Sequence, residues 1–159
     1  MPTAHFTIEK YCSAMEEVKL RTSVIDSFLT GPGHALYEPS TLETVGLQFR
    51  KILELIAFGS LIANQDEYSK VYRDFAKHWN AGDLVKNLES INPNFYPFPV
   101  VEMPSTDPNV KAKLEQRSAD YLKKDAFVEV YGRCGVLMHA ANPFGKGTKY
   151  EYYRTNLPA

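Results

Sequence analysis

Several features are scarce in this chain, and each scarcity removes a class of protein. Cysteine occurs twice, as Cys12 and Cys134. Two thiols so far apart make neither a disulfide framework nor a metal-spaced motif, and they read as reduced thiols of a cytoplasmic protein. Net charge is almost absent: 18 basic residues face 19 acidic ones, a formal −1 at pH 7, which argues against indiscriminate nucleic-acid binding. Long apolar runs are missing too. The nearest, "ILELIAFGSLIA" (Ile52–Ala63), contains Glu54 and falls short of the ~20 residues that span a bilayer. The opening "MPTAHFTIEKYC" has no basic stretch followed by an apolar one, so no signal peptide is expected. The expectation is a soluble, cytoplasmic protein with no membrane partner.

The familiar catalytic and cofactor signatures are also lacking. There is no G-x-x-x-x-G-K-[ST], G-x-G-x-x-G, H-E-x-x-H or G-x-S-x-G, and no Glu-x-x-His of di-iron bundles. No cofactor and no metal is therefore expected. Asp74 and His78 lie four apart and would share a helix face, but two ligands without a third are weak evidence beside a surface pair. No repeat and no run of alternating strands occurs, which favours an all-α bundle.

What is present suits one helical domain over residues 1–159. The chain is 44% hydrophobic and 13% aromatic, ample for a core. Ile8, Tyr11, Met15, Val18, Ile25 and Phe28 recur at mostly three- and four-residue steps, predicting a helix over Thr7–Leu29 that ends at Gly31–Gly33. "STLE" (Ser40–Glu43) fits a capping box that opens a second helix. From Ile52 that helix is apolar nearly all round, so it is expected to be central. Within it Arg50 and Glu54 sit one turn apart and can pair; a functional acid at Glu54 is the less favoured reading.

Asp66–Trp79 predicts a third helix with Tyr68, Val71, Tyr72, Phe75 and Trp79 inward. Asn80 and Gly82 break it, and a short helix follows over Asp83–Ile91. Five of the ten prolines fall in residues 92–108, making a Pro-rich aromatic loop whose rings cover one end of the bundle or, less favourably, stack on bases. Asp107-Pro108 reads as the start of a helix through Leu122, and Asp125 as the cap of a last helix running to Asn142-Pro143. The whole is a bundle of four to six helices. Charge is uneven along it, net −4 over residues 1–104 and +3 over 105–159, which permits a local anion site in the second part.

Two Arg/His pairs remain: Arg133 and His139 in "YGRCGVLMHAANP", and Arg73 and His78 in "RDFAKHW". Gly132 and Gly135 each weaken a helix by roughly 1 kcal/mol, a cost most easily tolerated where something must approach closely. A histidine in the last turn before Asn142-Pro143 meets the helix dipole and can exchange protons near neutrality. Six residues place the two side chains about 120° apart around an ideal helix, so they converge only on a distorted helix or across a dimer cleft. The plainer accounts are a surface cation at Arg133 and a carbonyl-bonded imidazole at His139.

A helical layout with a late Arg-x4–6-His motif resembles the HEPN superfamily, closely over only the thirteen residues Tyr131–Pro143. The resemblance implies a dimeric, metal-independent endoribonuclease of toxin–antitoxin or anti-phage systems, or a relative that binds RNA or protein without catalysis. It implies that Arg133 would stabilise charge at phosphorus and His139 would move the proton, with Tyr131 and Asn142 in support. Arg73 and His78 form the second-choice pair. The position after the arginine, polar in active members, is Cys134 here, which leaves open the non-catalytic branch: a protein- or RNA-binding module, the regulatory partner of a protein encoded nearby. The expected assembly is a homodimer.

Overall fold

In the computed structural model, residues 4–74, 77–140, 142–145 and 150–156 are described, with side chains from residue 7 onward. The elements are α1 (Ala4–Leu29), α2 (Glu38–Ala63), α3 (Gln65–Val71), α4 (Ala81–Ile91), β1 (Val100–Pro104), β2 (Ala112–Gln116), α5 (Lys124–Val136) and α6 (Tyr150–Asn156). The chain is mostly helical, and it is not all-α.

α2 is the central helix, packed against α1, α3, α4, α5 and α6. Its near-continuous apolar surface requires partners on several sides. On one side Leu53 and Ala57 meet Tyr68, Leu84, Leu88, Phe95, Phe127 and Tyr131 in the main core. On the other lies α1, whose predicted stripe is only partly buried: Ile25 is inside, but Ile8 is exposed. Tyr11 and Met15 rest over Gly59 of α2, where an added Cβ would lie 3.4 and 3.0 Å from their side chains.

Four local expectations are corrected. Ser40 does not close a capping box. α2 begins three residues earlier, after Tyr37, with no side-chain cap. The Ser40 hydroxyl donates to the Ala35 carbonyl at 2.5 Å, and Glu43 instead accepts from the Tyr150 hydroxyl at 2.7 Å. α3 stops at Val71, not Trp79, so Val71 and Trp79 are exposed rather than inward; Phe75 lies outside the described residues. Asn80 caps the next helix instead of merely ending the last: its Oδ1 accepts from the Asp83 N–H at 3.1 Å.

The fourth correction is the largest. Residues 108–122 contain β2 and no helix. Asp107 bonds the backbone two residues on, its Oδ1 accepting from Asn109 N–H at 2.9 Å, which makes a turn where a helix cap was expected. β1 lies within the Pro-rich stretch, where helix is barred and the backbone groups need an outside partner. β2 supplies it in antiparallel register, Val100 opposite Gln116 through Pro104 opposite Ala112. "AKLEQ" consists of helix formers, yet pairing overrides its propensity. Two of the three aromatics ahead of β1 do pack on the bundle, Phe95 buried and Tyr96 edge-on to Phe127 at 6.2 Å, while Phe98 stays exposed. Tyr96 donates to the Leu122 carbonyl at 3.0 Å, and burial pushes its phenol up to about 12.

Candidate functional site

α5 carries most of the residues singled out by sequence, and its two sides differ. Tyr131 faces inward. Its hydroxyl accepts from the Arg50 guanidinium at 2.6 Å and donates to Glu54 Oε1 at 3.1 Å. Arg50 Nε lies 3.3 Å from the same carboxylate oxygen, and the guanidinium carbon sits 4.0 Å from the centre of the Tyr131 ring. The i, i+4 pair read from α2 therefore forms, and α5 adds the third member. Burial, then the Glu54 charge, raises the Tyr131 phenol above its ordinary value. Gly135 makes room for this cluster, since a Cβ there would lie 2.9 Å from Arg50 Nη1. Gly132, by contrast, faces open space.

Arg133 points the other way. Its guanidinium pairs with Glu129 one turn earlier and lies 5.0 Å from the centre of the Tyr152 ring. It stands on the rim of a groove of about 320 Å³ formed with Phe49, Val130, Cys134, Leu137, Tyr152 and Tyr153. α6 closes this groove and is anchored at three points. The Tyr153 hydroxyl donates to the Arg133 carbonyl at 3.0 Å, Tyr150 reaches Glu43 as above, and Arg154 Nη2 meets Glu38 Oε2 at 2.6 Å. Leu42, Leu137 and Tyr153 make a small second core beneath it. Cys134 lies at the groove floor, where burial pushes its thiol up to about 11, so it stays protonated and unreactive at neutral pH.

The last predicted helix ends early, and that decides where His139 goes. α5 stops at Val136 instead of continuing to Asn142-Pro143. Leu137 turns inward onto Gly46 of α2, where an added Cβ would approach Leu137 Cδ1 to 2.5 Å. The Tyr153 hydroxyl takes a carbonyl from the last turn, and Met138 N–H bonds back to Gly135 in a tighter turn at 3.1 Å. His139 thus sits in an exposed bend past the helix, outside the groove that Arg133 lines. Asn142 organises a separate turn, its Oδ1 accepting from Phe144 N–H at 3.0 Å.

The second pair does not share a helix either. Arg73 is exposed in a turn, while His78 Nδ1 meets the Tyr68 hydroxyl at 2.9 Å. Asp74 pairs with Lys77 at 3.2 Å, and since α3 ends at Val71, Asp74 and His78 do not lie on the helix whose face they were expected to share. Among the described residues no group of three His, Cys, Asp or Glu is placed to hold a metal ion, and no buried side-chain nitrogen or oxygen lacks a hydrogen-bond partner.

Sequence reasoning missed the groove because α6 had no signal. "YEYYRTN" makes only two turns, and its position follows from contacts with Glu38, Glu43 and Arg133 that lie far away in sequence. Arg50 was half visible, as a cation on an otherwise apolar helix beside an acid. Comparisons with protein-family models, with curated proteins and with solved structures give no match.

Proposed function

We propose that the chain is a non-catalytic helical binding module, the regulatory partner of another protein, and that the groove between α5 and α6 receives a large apolar side chain of that partner. The supporting observation is the separation of the two candidate catalytic groups. Arg133 is on the groove rim, engaged by Glu129 and Tyr152, whereas His139 lies three residues past the end of α5 and outside the groove. General acid–base work on a phosphodiester needs imidazole and guanidinium around one substrate.

A groove with aromatic and aliphatic walls and one cation at its edge suits an apolar anchor beside an acidic residue. Its walls favour protein over RNA, because a nucleic-acid site needs a positive track for successive phosphates, and here Arg133 is the groove's one cation among the described residues.

Two measurements test this. Wild type, Arg133→Ala and His139→Ala are incubated with RNA in EDTA; no cleavage by any of them is expected. Cleavage by wild type that both substitutions abolish would instead establish the ribonuclease chemistry. In a displayed library of short peptides, selection should enrich large apolar residues beside Asp or Glu, and Arg133→Glu should remove the acidic preference. Enrichment of RNA from a mixed pool, with no peptide selected, would replace the protein partner by RNA.

A further inference from the structure

We infer that the outer edge of β2 is a self-pairing surface, which joins two copies of this chain into a four-stranded sheet about a two-fold axis at Leu114. Among the described residues the hairpin stands apart from the helical body: its strands pack chiefly on each other, with no extensive packing against a helix. Apolar residues are left uncovered on both its faces, with Leu114 69% exposed on one and Val101 45% exposed on the other. A lone two-stranded hairpin is marginally stable in water, and its edges carry free backbone donors and acceptors.

The register shows which backbone groups are free. Arg117 N–H donates to the Pro99 carbonyl at 2.9 Å. In the antiparallel pairing this makes Val101 with Glu115, and Met103 with Lys113, the mutually bonded pairs. Residues 112, 114 and 116 therefore turn their N–H and C=O groups outward from β2, as residues 100, 102 and 104 do from β1. The β1 edge is blocked, because Pro104 has no N–H to offer and Glu102 would face its own copy. The β2 edge has no such obstacle.

Side chains make the same choice. Pairing β2 with a second β2 about Leu114 sets Leu114 against Leu114 and Ala112 against Gln116. It also sets Lys113 against Glu115 of the second copy, twice by symmetry. Cross-strand opposite charges stabilise and like charges destabilise. Lys111 would face Arg117 just outside the strands, which confines the pairing to the five residues of β2. Such an interface is isologous and closes on itself, so assembly stops at the dimer. Its small area places it in the weak class. It does not depend on what the groove binds.

Sedimentation and light scattering at concentrations up to several hundred micromolar test the inference. Wild type should dimerise reversibly. Lys113→Glu should weaken the dimer at least about tenfold, because two attractive pairs become repulsive. Glu115→Lys should do the same, and the double swap Lys113→Glu with Glu115→Lys should restore association. Leu114→Pro removes only an outward N–H, so it should abolish the dimer while the helical circular dichroism is unchanged. A monomer throughout the range, growth beyond the dimer, or a dimer indifferent to these changes would overturn the inference.

Discussion

The seam between α2 and α5 and the hairpin of β1 and β2 are both rich in large apolar residues, and they meet opposite fates. In the seam Phe127 is fully enclosed and Leu53 and Ala57 are nearly so, with Tyr68 of α3 and Leu84 of α4 closing the same core. In the hairpin Val100, Val101, Met103 and Leu114 all remain exposed. Apolar content does not separate the two regions; the supply of covering elements does. α2 is flanked by helices on several sides, so its large apolar residues are at least partly covered, Leu47 excepted. In the hairpin each strand has one partner, and among the described residues no layer lies above or below the pair. Burial is a property of two facing surfaces, and a strand pair presents two faces that must each be met.

The contrast predicts a descending scale of effects. The largest belongs to Phe127→Ala, which empties a ring-sized volume in the seam and should cost about 3–5 kcal/mol in urea unfolding. If the loss is below 1 kcal/mol, the seam is not the core. Gly46→Ala comes next. Its new methyl overlaps Leu137, so a loss of about 1–3 kcal/mol is expected. Tyr131→Phe deletes the hydroxyl shared by Arg50 and Glu54, and should cost about 1–2 kcal/mol because a partly buried cation and anion lose a common partner.

Gly132→Ala sharpens the comparison from inside α5. Nothing lies within 4 Å of its new methyl, so it should stabilise by roughly 0.5–1 kcal/mol in thermal unfolding. At the bottom of the scale, Lys113→Glu in the hairpin should move the unfolding midpoint within about 0.5 kcal/mol of wild type when measured on dilute monomer. A larger change there would mean that the hairpin packs on the helical body after all.

The cysteines divide along a similar line. Cys12 is exposed and Cys134 buried, with its thiol held up at about 11. Alkylation at pH 8 should modify Cys12 within minutes and leave Cys134 intact until the protein is unfolded, as read by intact mass.

Much of the helical frame was legible in the sequence. The stripe from Ile8 to Phe28 located α1, and the run after Ile52 identified α2 as the central helix. Arg50 and Glu54 were paired by their one-turn spacing. The errors share a cause. Asp107-Pro108 and Ser40 carry the right atoms for helix caps, but the same oxygens satisfy turns, and local chemistry does not choose between them. "AKLEQ" favours helix alone, and becomes a strand because β1 offers hydrogen bonds that a proline-rich segment cannot keep for itself. His139 was expected within the last turn of a helix running to Asn142-Pro143. The inward turn of Leu137 onto Gly46, a residue of the distant α2, ended that helix at Val136.

What the sequence determined by itself was therefore periodic and local: which stretches are helical, which faces are apolar, and where glycine or proline interrupts them. These follow from backbone sterics and from side-chain spacing within a few turns. The tertiary structure alone decided that Tyr131 joins Arg50 and Glu54, that Arg133 and His139 part company, and that α6 closes a groove. Each of those outcomes depends on which distant surface arrives to complete a hydrogen bond or fill a gap, and no local stretch of chain carries that information.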